Sequence, residues 1–188
     1  MSLSERERCF EELYTANRAR VYGYARRRVR NVEEAEDVVA DTFLVAWRRL
    51  DELPESKAAT WLLGVARRVV ANRRRAQDRR CALAARLGRE TYAGKRLGAP
   101  GSAPPYDAEL AVRGLALLGE WDQEALLLVA WDDLTYRQAA AVLQCTVPAF
   151  ALRLYRARRR LAAVMGDLRA GDRQEIRVGR GIARGEDL

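Results

Sequence analysis

Residues 134–161 read LTYRQAAAVLQCTVPAFALRLYRARRRL. Thr135 is a favoured N-cap residue, which predicts a helix over Tyr136–Leu143. Gln144, Cys145 and Thr146 make a short turn. Thr146 caps a second helix, and Pro148 falls in its first turn, where a missing N–H costs nothing. On that helix Val147, Phe150, Leu154, Ala157 and Leu161 share one face, while Arg153, Arg156, Arg158, Arg159 and Arg160 share the other. Two helices joined by a three-residue turn, the second apolar behind and arginine-rich in front, form a helix-turn-helix pattern. Such a second helix lies in the DNA major groove, its first residues at base edges and its later arginines at phosphates. The candidate contacts are Thr146, Pro148, Ala149, Ala151, Leu152, Arg153, Arg156 and Arg158. Four of these are apolar, so hydrogen-bond readout falls to Thr146 and Arg153. Thymine methyls and DNA shape supply the rest. The plain alternative is an αα-hairpin with a cationic surface.

Working outward, charge is segregated in blocks, acidic then basic, twice. Glu33, Glu34, Glu36, Asp37 and Asp41 precede the arginines between Arg67 and Arg80. Glu120, Asp122, Glu124, Asp132 and Asp133 precede those between Arg153 and Arg160. Solvated helix faces give the same pattern, but its repetition points to two modules. Within Glu33–Leu50, Val39, Phe43, Ala46, Trp47 and Leu50 recur at helical spacing. A loop follows over Asp51–Ser56, and then a helix from about Ala59 through Trp61, Leu62, Val65, Val69 and Val70. Phe10, Leu13, Val21, Tyr22 and Tyr24 fit one or two earlier helices. Between Arg86 and Asp107 the periodicity fails among glycines and prolines, which reads as a flexible linker. The resulting expectation is an all-α chain of two small helical domains, residues 1–84 and 110–165. A linker over 85–109 joins them, and a glycine-rich disordered tail covers 166–188.

The 188 residues carry a net charge of +8, which points to a polyanionic partner. No apolar run is long enough for a membrane span, and no signal peptide is visible, so a cytoplasmic address is expected. There is no histidine, and Cys9, Cys81 and Cys145 are far apart. Neither a metal site, nor a catalytic residue, nor a cofactor, nor an enzymatic activity is therefore expected.

Three segments together resemble the extracytoplasmic-function (ECF) sigma factors of the sigma-70 family. Residues 35–48, AEDVVADTFLVAWR, look like that family's core-binding helix. Residues 61–67, WLLGVAR, look like its promoter −10 helix. Residues 134–161 look like its −35 helix-turn-helix. The resemblance covers roughly Phe10–Arg80 and Leu117–Met165. It implies a non-enzymatic subunit that binds core RNA polymerase, at the β′ clamp and β subunits, and directs it to promoter DNA. By this resemblance Asp37, Asp41, Phe43 and Trp47 lie in the core-binding motif, with Phe43 and Trp47 mostly buried. Trp61, Arg67, Arg68, Asn72, Arg73 and Arg74 lie along the −10 DNA, and Asp51–Ala59 forms a loop that captures a flipped base. The linker would thread toward the polymerase active site, and an anti-sigma factor is an implied partner. Ala40, Arg68 and Gln144 depart from the family's usual Gln, Asn and Gly. A stand-alone helix-turn-helix regulator is the second reading, but its receiver domain would alternate strands and helices, which the first half does not. A polymerase adaptor that does not read DNA is the third, and the arginines of residues 153–160 speak against it.

Overall fold

A computed structural model of the chain describes residues 3–53, 57–86 and 106–182, and every regular element among them is helical. The first half comprises α1 (Leu3–Arg26), α2 (Val32–Arg48), a short 3₁₀ turn (Leu50–Glu52) and α3 (Ala58–Arg86). The second comprises α4 (Tyr106–Ala116), α5 (Glu120–Ala130), α6 (Tyr136–Val142) and α7 (Val147–Ile182).

Local chemistry accounts for the boundaries. Asn31 caps α2 by accepting the Glu34 N–H at 2.8 Å. Glu33 and Glu34 sit at the positive end of the helix dipole and Arg48 at the negative end. Ala35, Val38, Val39, Thr42, Phe43 and Ala46 then form a buried stripe at alternating spacings of three and one. Thr135 caps α6 with a reciprocal box: its hydroxyl accepts the Gln138 N–H, and the Gln138 side chain accepts the Thr135 N–H at 3.0 Å. Beyond α6 the Cys145 N–H reaches Ala140 O at 3.0 Å and the Gln144 N–H reaches Ala141 O at 3.2 Å. This double closure turns the chain through a left-handed residue, Gln144, at φ 55°.

In the first half α1, α2 and α3 pack on one another; in the second α4, α5 and α6 pack on α7. Val21, Tyr24, Val38, Phe43, Leu62 and Leu63 fill the first core, and Leu110, Leu126, Leu128, Val142, Phe150 and Leu154 the second. Beside the first core, Phe10, Tyr14, Phe43 and Trp47 meet edge to face or tilted at 4.7–6.3 Å. At Gly114 a Cβ would lie 3.1 Å from Leu161 and 3.2 Å from Met165, so the glycine lets α4 approach α7 closely. The halves also touch: α3 packs on α6, and buried residues of both belong to one continuous cluster.

Two expectations change. Composition predicts disorder from residue 166, yet α7 continues through Gly166 and Gly171 to Ile182. It is braced on α4 by Arg113–Asp172 at 3.2 Å and by an Arg169–Asp107 ion pair. Val147, assigned to the apolar face of α7, is 42% exposed, because the buried stripe begins only at Phe150. Most of the expected linker falls on 87–105. That segment, like residues 54–56 of the Asp51–Ala59 loop and 183–188 of the tail, lies outside the described residues.

A left-handed conformation costs an L-residue roughly 1–2 kcal/mol, which glycine avoids. Gln144→Gly should therefore raise stability by up to about 1 kcal/mol, offset partly by unfolded-state entropy. The β-branched Gln144→Val should lower it. Urea midpoints at unchanged m-value read both effects.

Candidate nucleic-acid interface and polymerase-facing helix

Phe150, Leu154 and Ala157 anchor α7 in the second core. That fixes which residues face outward. Thr146, Pro148, Ala149 and Leu152 are exposed, as are Arg156 and Arg158, while Ala151 and Arg153 are half-buried. Thr146 Oγ1 accepts the Ala149 N–H at 3.3 Å, so the hydroxyl that would read a base also caps the helix. Sequence reasoning missed Val147 and Tyr155, the latter 57% exposed, on this same face. Their signal was present: large apolar residues outside the Phe150–Leu154 stripe. The outer surface of the first three turns of α7 is thus apolar, with arginines behind it.

α3 carries the second basic face. Leu62, Leu63, Ala66 and Val70 are buried against α1 and α2, which turns Arg68 and Asn72 to solvent. Trp61 is half-buried against the core. Asn72 is engaged by Arg75, which donates to its Oδ1 at 2.7 Å. Arg73 turns toward α2 and bridges Asp37 at 2.9 Å and Asp41 at 2.5 Å. Burial opposes the Arg73 cation, but its bonds to Asp41 and Asp37 outweigh that and hold its pKa above the arginine norm. The structure thus brings two candidate polymerase contacts and one candidate DNA contact into one surface ion network. Phe43 is buried and acts through packing, and Trp47 is half-buried under Arg6, whose guanidinium lies 5.3 Å from its ring. On the outward face of α2, Leu44 stands exposed one turn from Ala40 and Asp41 and two turns from Asp37.

The two basic faces meet at α5. The indole of Trp121 has Arg67 of α3 at 4.7 Å from its centroid and Arg153 of α7 at 5.0 Å. Arg74 donates to Arg28 O at 2.9 Å and lies 3.5 Å from Glu120. Beside them runs a cleft of about 880 Å³ lined by Arg27, Arg28 and Arg30, which follow α1, by arginines of α3 and by Glu120 and Gln123 of α5. Among the described residues, no group of three or more acidic, cysteine or histidine side chains is placed to hold a metal ion, and no helix is long and apolar enough to cross a membrane.

Residues 13–80 match the family model for sigma-70 region 2, and residues 111–161 match that for sigma-70 region 4. The ECF RNA polymerase sigma factor EcfG of Rhodopseudomonas palustris is 29% identical over 136 residues, which cover 72% of this chain and 73% of EcfG. The ECF RNA polymerase sigma factor SigK of Mycobacterium tuberculosis is 30% identical over 141 residues, covering 68% of this chain and 70% of SigK. Among solved structures, the sigma factor RpoE in complex with the anti-sigma factor NepR from Bartonella quintana aligns with a TM-score of 0.63. That alignment, at 22% identity, covers 87% of this chain and 95% of RpoE, and it shows a shared fold. Helices, faces and relatives agree: the chain belongs to the ECF sigma factors of the sigma-70 family, regulators of transcription initiation. It is a sigma factor that directs promoter-specific transcription, and the reading as a stand-alone regulator gives way to it because region 2 is matched as well as region 4.

Exposed ion pairs and buried aromatics should separate cleanly in stability measurements. The double change Asp37→Asn with Asp41→Asn should cost less than about 1 kcal/mol, since its pairs with Arg73 are solvent-screened. Phe150→Ala, beneath the outward face of α7, should cost roughly 3–5 kcal/mol. Chemical denaturation of the three proteins under one buffer condition reads the difference.

Proposed function

We propose that α2, α3 and α7 divide the work of initiation among three surfaces. The observation that carries this is the orientation of α7, whose buried Phe150, Leu154 and Ala157 force Thr146–Arg158 outward as a single face. Thr146 and Arg153 supply hydrogen bonds to −35 base edges. Pro148, Ala149, Ala151 and Leu152 meet thymine methyls, joined by Val147 and Tyr155. Arg156 and Arg158 meet phosphates. Along α3, Arg67, Arg68, Arg73 and Arg74 hold the −10 backbone and Asn72 reads a base edge. Trp61 supports that surface from the core side. Arg73 must exchange Asp37 and Asp41 for phosphate when DNA arrives, so the acids it releases become available to polymerase at that moment.

The core enzyme meets the outward face of α2 through its β′ clamp and β subunits. Asp37, Asp41 and the rim of Trp47 are the contacts taken from the motif, with Phe43 holding the helix in place. Leu44 adds an apolar centre that the motif reading lacked. Residues 1–84 act as the polymerase-binding and −10 module and residues 110–165 as the −35 module. The chain works in the cytoplasm with promoter DNA and core polymerase as partners, without enzymatic activity or cofactor of its own. An anti-sigma factor is a third partner in this reading, suggested by the solved relative RpoE, which was crystallised with one.

Two measurements test the assignment. Purified chain mixed with core polymerase should co-elute and start run-off transcription at a two-element promoter, and failure of either step refutes the polymerase role. Arg153→Ala should reduce discrimination among −35 sequences. Arg159→Ala should weaken binding evenly, with the salt slope falling by about one. Equal losses on every −35 sequence for both variants would remove the distinction between reading and phosphate residues.

A further inference from the structure

Residues 3–12 of α1 precede the stretch that matches sigma-70 region 2. Among them Arg6, Cys9 and Phe10 are half-buried at helical spacing, while Glu7 and Arg8 between them are exposed. Arg6 engages the end of α2 with one guanidinium. Its Nη2 donates to Trp47 O at 3.0 Å, its Nη1 forms an ion pair with Asp51, and its carbon lies 5.3 Å from the centroid of the Trp47 ring. Trp47 O is one of the last carbonyls of α2. The Arg49 N–H takes Val45 O and Ala46 O, and Arg6 takes the next in the row. A cation there also meets the negative end of the helix dipole. Phe10, one turn further along α1, meets the same indole edge to face at 5.2 Å. Two groups of α1 thus hold one half-buried ring, and Leu44, one turn before it on α2, stands 47% exposed.

We propose that Arg6 is a positioning residue for polymerase binding: it fixes the Trp47 indole beside Leu44 in the orientation that the core enzyme receives. This role rests on the assignment of the outward face of α2 to core polymerase. Folding stability does not account for the contact. The side chains of Arg6 and Asp51 are 25% and 58% exposed, and a pair so open to solvent contributes little to folding. Orientation does account for it. The planar fork of a guanidinium reaches a carbonyl and a carboxylate at once, which the point charge of a lysine does not reproduce. Held by both, the Arg6 cation stays beside the indole, and Phe10 restricts the ring further. An aromatic side chain ordered before binding spares the complex the cost of ordering it, worth roughly three- to tenfold in affinity for one such group. The exposed Leu44 then has a rigid neighbour of the kind that anchors interfaces.

The test uses the full chain and core polymerase. Arg6→Ala, with helix content checked by circular dichroism, should bind core enzyme about three- to tenfold more weakly in a fluorescence-anisotropy titration. Should that variant lose helix content, Arg6→Met, which keeps the apolar stem, replaces it. Trp47→Ala should also weaken binding, and Arg6→Ala added to it should cost less than about twofold more. Losses that multiply independently would overturn the positioning role, as would an Arg6 variant that binds like the wild type. A second readout follows the ring itself. With 5-fluorotryptophan in place of its four tryptophans, the free chain gives a Trp47 fluorine resonance, assigned by its absence in Trp47→Phe. That resonance should move in Arg6→Ala while those of Trp61, Trp121 and Trp131 stay, and an unmoved Trp47 line overturns the role. A wild type that binds no core enzyme strikes the functional reading and this role with it. Wild-type binding matched by the Arg6 variant strikes the role alone.

Discussion

Arg28 is the residue on which the relative placement of the two halves turns. Removing a guanidinium and its carboxylate partners from water costs several kcal/mol per ion, and the loss is recovered only where geometry is tight and the remaining donors are satisfied. Here Glu124, Asp132 and the Tyr24 carbonyl satisfy three of its N–H groups while the Tyr24 ring covers a face. Burial works against the Arg28 charge, yet Tyr24, Glu124 and Asp132 more than compensate, and its pKa stands above the ordinary arginine value. Burial likewise pushes the Tyr24 hydroxyl well up, so it remains the donor to Glu124. A greasy interface of equal volume would hold the halves at least as firmly. What the ions add is direction. They fit only with the end of α5 set against the end of α1, and that placement brings Trp121 between Arg67 and Arg153.

Within each half the logic is different and more ordinary. Burying a Leu or Phe side chain contributes about 1.5–3 kcal/mol, and the buried stripes of α2, α3, α5 and α7 supply these in quantity. Charges decorate the outsides, where pairs such as Arg18–Glu36 are exposed and contribute little. Each half has its own buried stripes, yet the halves also share one apolar cluster through α3 and α6, with the polar contacts of Arg28 beside it.

The parts legible in the sequence were those encoded at short range. The stripe of α2, the Thr135 cap, Pro148 in the first turn of α7 and the Phe150–Leu154–Ala157 face all follow from local spacing and residue type. The Gly-type closure after α6 was visible too, as the departure at Gln144, and the structure supplies its reason in a positive φ. What remained hidden depends on distant pairs. Arg28 meets Glu124 across 96 residues and Asp132 across 104. No periodicity encodes that, and the acidic block of α5 reads equally well as a solvated face. The tail failed for a related reason. Gly166 and Gly171 each cost a helix about 1 kcal/mol, and composition alone predicts melting. Met165 and Leu168 nevertheless stay half-buried, and Arg113 reaches Asp172, so α7 just beyond Gly166 is held by contacts with α4. Asp37 and Asp41 were legible as acids on an outward face, but their engagement by Arg73 was not.

The outward surface of α7 sets what kind of specificity the chain can have. A reading face that offers two hydroxyls, at Thr146 and Tyr155, and one half-buried guanidinium, at Arg153, has few directional donors. Bidentate hydrogen bonds, each worth about 1–3 kcal/mol of base discrimination, can therefore be few. Leu152 and Tyr155 are each at least half exposed and carry apolar area, with the Arg159 guanidinium 6.0 Å from the Tyr155 ring. On DNA that area rewards thymine methyls and grooves of the right width, both of which grade sequences more gently than hydrogen bonds do. In the proposed reading the arginines behind it add affinity through phosphate contacts that every sequence shares. In the proposed division of roles, discrimination at the −35 surface is modest and selectivity comes from requiring both elements at once.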